Sequence, residues 1–304
     1  MSNKQIAWEK FDRIVHDAAP DGVCTQPWEH RDGKLVYSPD IETLEALLVV
    51  PLMMDTNSQT GIRALALDVW LSYELRRAGF HPDMTWPRAE APRVLPMAVS
   101  HLLSAKGLSA QARRELTHLV SKTSGASFSE ARVLGKNYAK QVDVVMSDWS
   151  SGPELLISTK RMDSSFGKNA ANRIEEAYGD ARNLRARHPM AALGFLFGLR
   201  STVLDEAPDT AEQLIDLIGK LGREDDAYHA TCIVMMDYED GGALVKVRDD
   251  LVPSELSMAR FLGHMVNRVL DASPVTRHRE ARERRASAMK GQGPGGLGSV
   301  RTDV

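Results

Sequence analysis

The stretch that decides the fold is residues 141–161, QVDVVMSDWSSGPELLISTKR. Its first arm is rich in β-branched residues, its second arm is apolar up to Ser-Thr-Lys, and the segment DWSSGP separates the two arms. Apolar, β-branched arms on either side of a cluster of Asp, Ser, Gly and Pro are typical of a β-hairpin. We therefore predict two antiparallel strands, with Asp143 on the first strand and Lys160 near the end of the second.

The hairpin brings a small set of polar side chains together. Side chains alternate between the two faces of a strand, so Ser158 and Lys160 share one face. A hairpin folded symmetrically about Ser150 and Ser151 places Asp143 opposite Ser158 and diagonal to Lys160. Because an unpaired ammonium is costly to bury, Lys160 either pairs with a carboxylate or lies where the strand meets solvent. In the second case Asp143 is an ordinary surface residue.

The pattern around this hairpin resembles the PD-(D/E)xK nuclease superfamily, which has the restriction-endonuclease-like fold. In that family an aspartate is followed by an apolar strand ending in x-x-Lys, then by an amphipathic helix and a further apolar strand. The resemblance covers roughly residues 127–200, or as far as residue 250 at its widest, and Asp143 and Lys160 match the family motif. The chain departs from the family at Ser158, where Asp or Glu is usual, and a hydroxyl is a poorer Mg²⁺ ligand than a carboxylate.

The resemblance implies a catalytic site that holds Mg²⁺, with Mn²⁺ as the alternative ion. Asp143 would bind the ion together with the backbone carbonyl of Thr159. Ser158 would contact the ion directly or through a water molecule. Lys160 would orient the attacking water and stabilise negative charge in the transition state.

Two residues are candidates for the acid that Ser158 does not supply. Glu130 lies in a predicted helix over residues 127–138, and the family often offers a glutamate from the helix before the aspartate strand. Glu154 shares the face of Ser158 but lies about 13 Å away along the strand, which favours Glu130. The alternative is that Glu130 only complements the dipole of the predicted helix.

Positive charge surrounds the proposed site, although the whole chain has a formal net charge of −3. Residues 160–200 contain eight Lys or Arg against four Asp or Glu. Phosphate binding depends on a local field of this kind, although a solvated helix face gives similar numbers. Our candidates for contacts to DNA phosphates are Lys168 and Asn169, in the loop after the lysine strand, and Arg161 and Arg173.

The chain after the hairpin alternates between helical and strand-like patterns. An amphipathic helical pattern covers residues 170–187, and residues 190–199 and 228–236 are nearly continuous apolar runs of strand length. Such runs are typical of strands buried on both faces in a partly parallel sheet. The sequence therefore predicts an α/β fold, a mixed central sheet flanked by helices with a restriction-endonuclease-like core, and a mostly helical N-terminal region.

Composition divides the chain into three predicted parts. Residues 1–123 form the mostly helical region, which would read DNA, dimerise or pack on the rest. Residues 124–272 form the nuclease-like domain. Residues 273–304 form a tail that is basic and then rich in glycine, and we expect it to be flexible. Its basic part either stays solvated or folds as a helix on a partner or on DNA.

The remaining signals concern compartment and chemistry. Cys24 and Cys232 are far apart and form neither a disulfide framework nor a zinc pattern, which favours a reducing, cytoplasmic compartment. No stretch reaches the ~18 uncharged apolar residues of a membrane helix, so we expect no membrane partner. The sequence contains no G-x-x-x-x-G-K-[ST], G-x-G-x-x-G or H-E-x-x-H motif, so it lacks the usual nucleotide and zinc-protease signatures.

The residues and the resemblance together predict a Mg²⁺-dependent endonuclease that hydrolyses double-stranded DNA, similar to type II restriction enzymes. Cutting both strands of a duplex implies a homodimer. Two alternatives stay open. One is a catalytically inactive subunit that keeps the nuclease fold for DNA binding or assembly, and the other is an RNA-directed nuclease.

Overall fold

The computed structural model describes residues 2–54, 56, 61–123, 126–128, 130–239 and 241–290. The helices in these ranges are α1 (Asn3–Ala18), α2 (Ile41–Met53), α3 (Ile62–Arg77), α4 (Met97–Leu103), α5 (Ala110–Lys122), α6 (Phe166–Arg185), α7 (Val203–Glu206), α8 (Pro208–Leu221), α9 (Met258–Ala272) and α10 (Arg279–Lys290). The strands are β1 (Trp28–Arg31), β2 (Lys34–Tyr37), β3 (Thr85–Trp86), β4 (Ala131–Leu134), β5 (Ala139–Val142), β6 (Val144–Asp148), β7 (Gly152–Met162), β8 (Ala192–Arg200), β9 (Ala230–Asp237) and β10 (Lys246–Val247).

The main sheet of the described residues has six strands in the order β10-β9-β8-β7-β6-β3. β6 and β7 form the antiparallel hairpin that the sequence predicts. β7, β8 and β9 are parallel to one another, and the short strands β3 and β10 pair antiparallel at the two edges. Helices α6 and α8 provide the crossovers between the parallel strands. The predicted α/β fold with a mixed sheet flanked by helices is therefore confirmed.

The sheet is buried because helices cover both of its faces. Leu155 and Ile157 of β7 pack into a core with α1, α2, α3 and α9, whereas Leu156 packs into a second core with α6 and α8. Every residue of β8 except the last is buried, which explains its nearly continuous apolar sequence. The helical N-terminal region shares this core, since α3 packs on the sheet and β3 pairs with β6.

The predicted helix over residues 127–138 is wrong, because β4 and β5 form an antiparallel hairpin there. Side chains in β4 alternate, so that Ala131 and Val133 are buried while Arg132 and Leu134 are exposed. Residues 131–138 (ARVLGKNY) are too short for the apolar pattern to distinguish a helix from a strand, and Gly135-Lys-Asn lies in the turn between the two strands. Glu130 therefore precedes a strand and does not lie in the first turn of a helix.

The basic part of the predicted tail folds as α10 on this same chain. Ala281 of α10 is fully buried, and the Arg284 guanidinium donates to the backbone carbonyls of Cys24 and Arg77 at 3.3 and 3.1 Å. The glycine-rich residues 291–304 lie outside the described residues. Among the described helices, none is both long enough and apolar enough to cross a lipid bilayer.

Candidate functional site

Asp143 lies at the bend where the chain leaves the β4–β5 hairpin and enters the main sheet. The first residue of β6, Val144, pairs with Ile157 of β7, so β6 ends its pairing before it reaches Thr159. The Thr159 backbone N–H instead donates a hydrogen bond to the side chain of Asp143, with Oδ2 as acceptor at 2.8 Å. A side-chain acceptor thus replaces the backbone acceptor at the fork between the two strands.

A second carboxylate, which the sequence reasoning missed, reaches the same residue from α3. Asp68 is buried near the middle of that helix and accepts a hydrogen bond from Thr159 Oγ1 at 2.5 Å. Thr159 therefore holds Asp143 through its backbone and Asp68 through its side chain. The signal that could have identified Asp68 is a single charge inside the apolar run ALALDVWL, residues 64–71.

The two carboxyls are harder to ionise than usual. Burial raises the pKa of Asp143, while the hydrogen bond from Thr159 and the positive charge of Lys160 act in the opposite direction. Burial also raises the pKa of Asp68 well above its ordinary value, and the negative charge of Asp143 raises it further. No described residue forms an ion pair with either carboxylate. Positive charge therefore acts on the pair only from beyond ion-pair distance, from Lys160 and Lys140 on Asp143 and from Lys4 on Asp68.

A cavity of about 340 Å³ borders both carboxylates. Glu130 also lines it and lies 3.8 Å from the ammonium of Lys4. The predicted residues Asp143 and Glu130 thus reach one cavity. Even so, no group of three or more Asp, Glu, His or Cys side chains in the described ranges is arranged to hold a metal ion by itself.

Lys160 and Ser158 lie on the face of β7 that α6 covers, and they do not line this cavity. The Lys160 ammonium lies 3.3 Å from the Glu176 carboxylate, and Lys140 contacts the same carboxylate at 3.2 Å. Ser158 is buried, with 5% of its surface exposed. Lys160 still acts on Asp143 through its electric field, but its direct contact among the described residues is Glu176.

The candidate DNA-contacting residues differ in how accessible their side chains are. Arg161 is buried, donates to Asp163 Oδ1 at 2.8 Å and contacts the Arg63 carbonyl at 3.1 Å, a position that does not favour a phosphate contact. Arg173 is half-buried on α6. The side chains of Lys168 and Asn169 lie outside the described part of the molecule.

The donor set at the fork suits a hard divalent cation. Mg²⁺ is usually bound by one or two carboxylates and completes its octahedral shell with water and phosphate oxygens of the substrate. Asp68 and Asp143 could supply the two carboxylates. The N–H and C=O of one strand residue point to the same neighbouring strand, so the carbonyl of Thr159 also faces this fork. A cation here would contact the desolvated pair directly, which no described lysine or arginine does.

Comparison with known proteins adds no relative, because no protein-family model, no curated protein and no solved structure matches the chain. Any functional conclusion therefore depends on the geometry of the site and on the chemistry of its residues.

Proposed function

We propose that the protein is a Mg²⁺-dependent endonuclease that hydrolyses phosphodiester bonds in double-stranded DNA. The observation that carries the proposal is the convergence of Asp68 and Asp143 on Thr159, at the fork between β6 and β7. The order and direction of β6, β7, α6 and β8 support it, since an antiparallel hairpin followed by a helix and a parallel strand is expected of a restriction-endonuclease-like core.

Each residue of the fork has a distinct task in this proposal. Asp143 and Asp68 bind the ion, and Asp68 takes the place of the acid that Ser158 does not supply. Thr159 fixes the positions of both carboxylates through its two hydrogen bonds. When bound, Mg²⁺ would polarise the phosphate and lower the pKa of a coordinated water.

Lys160 supplies positive charge beside the fork. Its ammonium lies 3.3 Å from Glu176, a residue whose side chain is half exposed, so the contact fixes the lysine without enclosing it. From there the lysine lowers the pKa of Asp143, which burial otherwise raises, and favours the ionised form that binds a cation. Lys160 does not line the cavity, so in this proposal it acts on the reaction only through Asp143.

The charges at the cavity and the number of strands to be cut bear on the substrate and on the oligomeric state in this proposal. Lys4 and Arg93 border the cavity, where they pair with Glu130 and Asp12, and they are the positive charges that an approaching phosphate backbone would meet. Cleavage of both strands of a duplex requires two such sites, so the active form in this proposal is a homodimer.

One observation favours a second candidate, a nuclease-fold subunit that binds DNA without cutting it. Ser158 is buried where the family has a metal-binding acid, and the described residues contain no ready-made group of three metal-ligating side chains. If Asp68 does not replace that acid, DNA binding survives while catalysis is lost.

Plasmid cleavage separates the two candidates. Supercoiled plasmid incubated with the wild-type protein and Mg²⁺ is expected to be nicked and linearised. Lys160→Ala is expected to cleave about tenfold more slowly, because loss of the lysine charge raises the pKa of Asp143 and leaves less of the ionised form that binds the cation. The matched control is Lys220→Ala, which removes an exposed lysine that pairs with Asp216 on α8 and should cleave at the wild-type rate.

Equal cleavage by Lys160→Ala and the wild type would contradict the role of this lysine. Salt-dependent DNA binding by a wild-type protein that does not cut with either Mg²⁺ or Mn²⁺ would replace the nuclease proposal by the second candidate.

A further inference from the structure

A second cavity, of about 420 Å³, lies between the C-terminal end of α8, the start of β9 and the first turns of α9. Basic residues dominate its charged lining. The charged and titratable residues that line it are Arg223, Arg260, His229, His264 and Glu255. Behind them, the positive charge of Arg268 acts on both histidines. The cavity therefore has a concentration of positive charge with one carboxylate in its described lining.

The arginines of this cavity are not neutralised by the described residues. No described carboxylate lies within ion-pair distance of Arg223, Arg260 or Arg268, whereas many other arginines of the chain have such a partner. The Nε atom of Arg268 is also buried without a hydrogen-bond acceptor in the part of the chain that is described. Arg223 and Arg260 are exposed and line the cavity, so an anion that enters it would meet two guanidinium groups without a described carboxylate partner, while Arg268 acts from outside the lining.

The tautomer of His229 adds an independent indication. Its Nδ1 accepts a hydrogen bond from the Leu193 backbone N–H at 2.9 Å. A neutral imidazole whose Nδ1 accepts carries its proton on Nε2. That Nε2 is buried, and no described residue accepts its hydrogen bond. The ring therefore presents a desolvated donor without an acceptor.

The electrostatics agree with this geometry. Burial lowers the pKa of His229 to about 4, and the charges of Arg185 and Arg268 contribute to the same shift. Burial likewise lowers the pKa of His264, and Arg260 and Arg268 lower it further. Burial is the main cause of both lowered pKa values, and the neighbouring arginine charges add to it.

We propose that this cavity binds a phosphate group. A phosphate offers several acceptor oxygens and up to two negative charges, and guanidinium groups bind it with paired hydrogen bonds. The cavity borders the N-terminal turns of α9, where the helix dipole also favours an anion. The same chemistry occurs in the backbone of a nucleic acid and in a small phosphorylated molecule, and the experiment below distinguishes these two sources.

The phosphate cavity is separate from the fork. Leu193, which contacts His229, pairs with Leu156 of β7, and Leu156 lies three residues before Thr159. Three residues of a strand span about 10 Å, and two further strand spacings separate the sites sideways. Failure of the nuclease proposal would therefore leave this inference intact, and the reverse also holds.

The direct test is a titration with inorganic phosphate at neutral pH, followed through the imidazole NMR signals of His229 and His264. We expect saturable shifts and a rise in the pKa of His229 in the presence of phosphate. Arg223→Gln and Arg260→Gln should each weaken binding about tenfold, since each removes a charge-assisted hydrogen bond. The matched control, Arg279→Gln, changes an exposed arginine of α10 and should bind as the wild type does.

Two further probes, adenosine monophosphate and a short DNA duplex, identify the source of the phosphate. If Arg223→Gln and Arg260→Gln weaken duplex binding and reduce its salt dependence, the cavity binds the nucleic-acid backbone. If they weaken only the binding of the nucleotide, it binds a small phosphorylated molecule. A linear, non-saturating response to inorganic phosphate, or equal affinity in the wild type and both variants, would overturn the proposal.

Discussion

Asp143→Asn is expected to reduce DNA cleavage strongly and, at the same time, to make the metal-free protein more stable at neutral pH. Asparagine keeps an oxygen that can accept the Thr159 N–H but removes the negative charge that would bind the cation. Without that charge we expect cleavage to fall at least about a hundredfold. Stability rises because the charge of Asp143 is desolvated and faces a second buried carboxylate, Asp68.

The sign of the pH effect follows from the raised pKa values. Some carboxyls have a higher pKa in the folded state than in the unfolded state. Such a group lowers the free energy of unfolding as the pH rises above its unfolded-state pKa and through its folded-state pKa. The wild type should therefore become less stable, relative to Asp143→Asn, as the pH rises from acid to neutral. Thermal unfolding midpoints of the two proteins across this range measure the difference.

The control for this prediction is Asp216→Asn, at an exposed position on α8 whose carboxylate contacts Lys220. It should leave both cleavage and the pH dependence of unfolding unchanged. A loss of stability in Asp143→Asn at neutral pH would mean that the carboxylate stabilises the fold, and the interpretation of Asp68 and Asp143 as a pair whose desolvation is not fully compensated would be wrong.

Arg77→Met is expected to cause the largest loss of stability. Glu74, on α3, is completely buried and accepts hydrogen bonds from the Tyr37 hydroxyl at 2.8 Å, the Asp40 backbone N–H at 2.6 Å and the Arg77 guanidinium at 3.1 Å. Burial raises the pKa of Glu74, and the charge of Arg77 opposes this. Methionine fills similar space without charge and leaves the glutamate uncompensated, which costs about 3–5 kcal/mol.

Urea unfolding measures this loss, with Arg248→Met as the matched control. Arg248 pairs with Asp250 at 2.7 Å, but this contact is at the surface and should contribute little to the free energy of unfolding. If Arg77→Met loses no more stability than Arg248→Met, then Arg77 does not compensate the buried charge of Glu74.

The hairpin and the buried parallel strands could be predicted because their signals are local. A cluster of turn formers separates β6 from β7, and the apolar runs of β8 and β9 are too long and continuous for exposed segments. Asp68 could not be placed in the same way, because it meets Thr159 from 91 residues away in the chain. A lone acid in an apolar helix indicates that a partner exists, but only the packing of α3 on the sheet identifies it.

Two segments, the β4–β5 hairpin and α10, could not be predicted from local sequence for related physical reasons. Residues 131–138 are half apolar and form a short segment, so their pattern fits a helix as well as it fits the alternation of β4. α10 is rich in charge and looks solvated by composition, yet it is held by long-range contacts such as those of Arg284. In both cases tertiary contacts decide a conformation that local preference leaves open.

The central claim is that Asp68 and Asp143 form one divalent-cation site, and calorimetric titration with Mg²⁺ and Mn²⁺ tests it most directly. The wild-type protein is expected to bind one ion, and Asp68→Asn and Asp143→Asn are each expected to remove that binding while both variants stay folded. A wild-type protein that binds neither ion, or binding that persists unchanged in both variants, would contradict the claim.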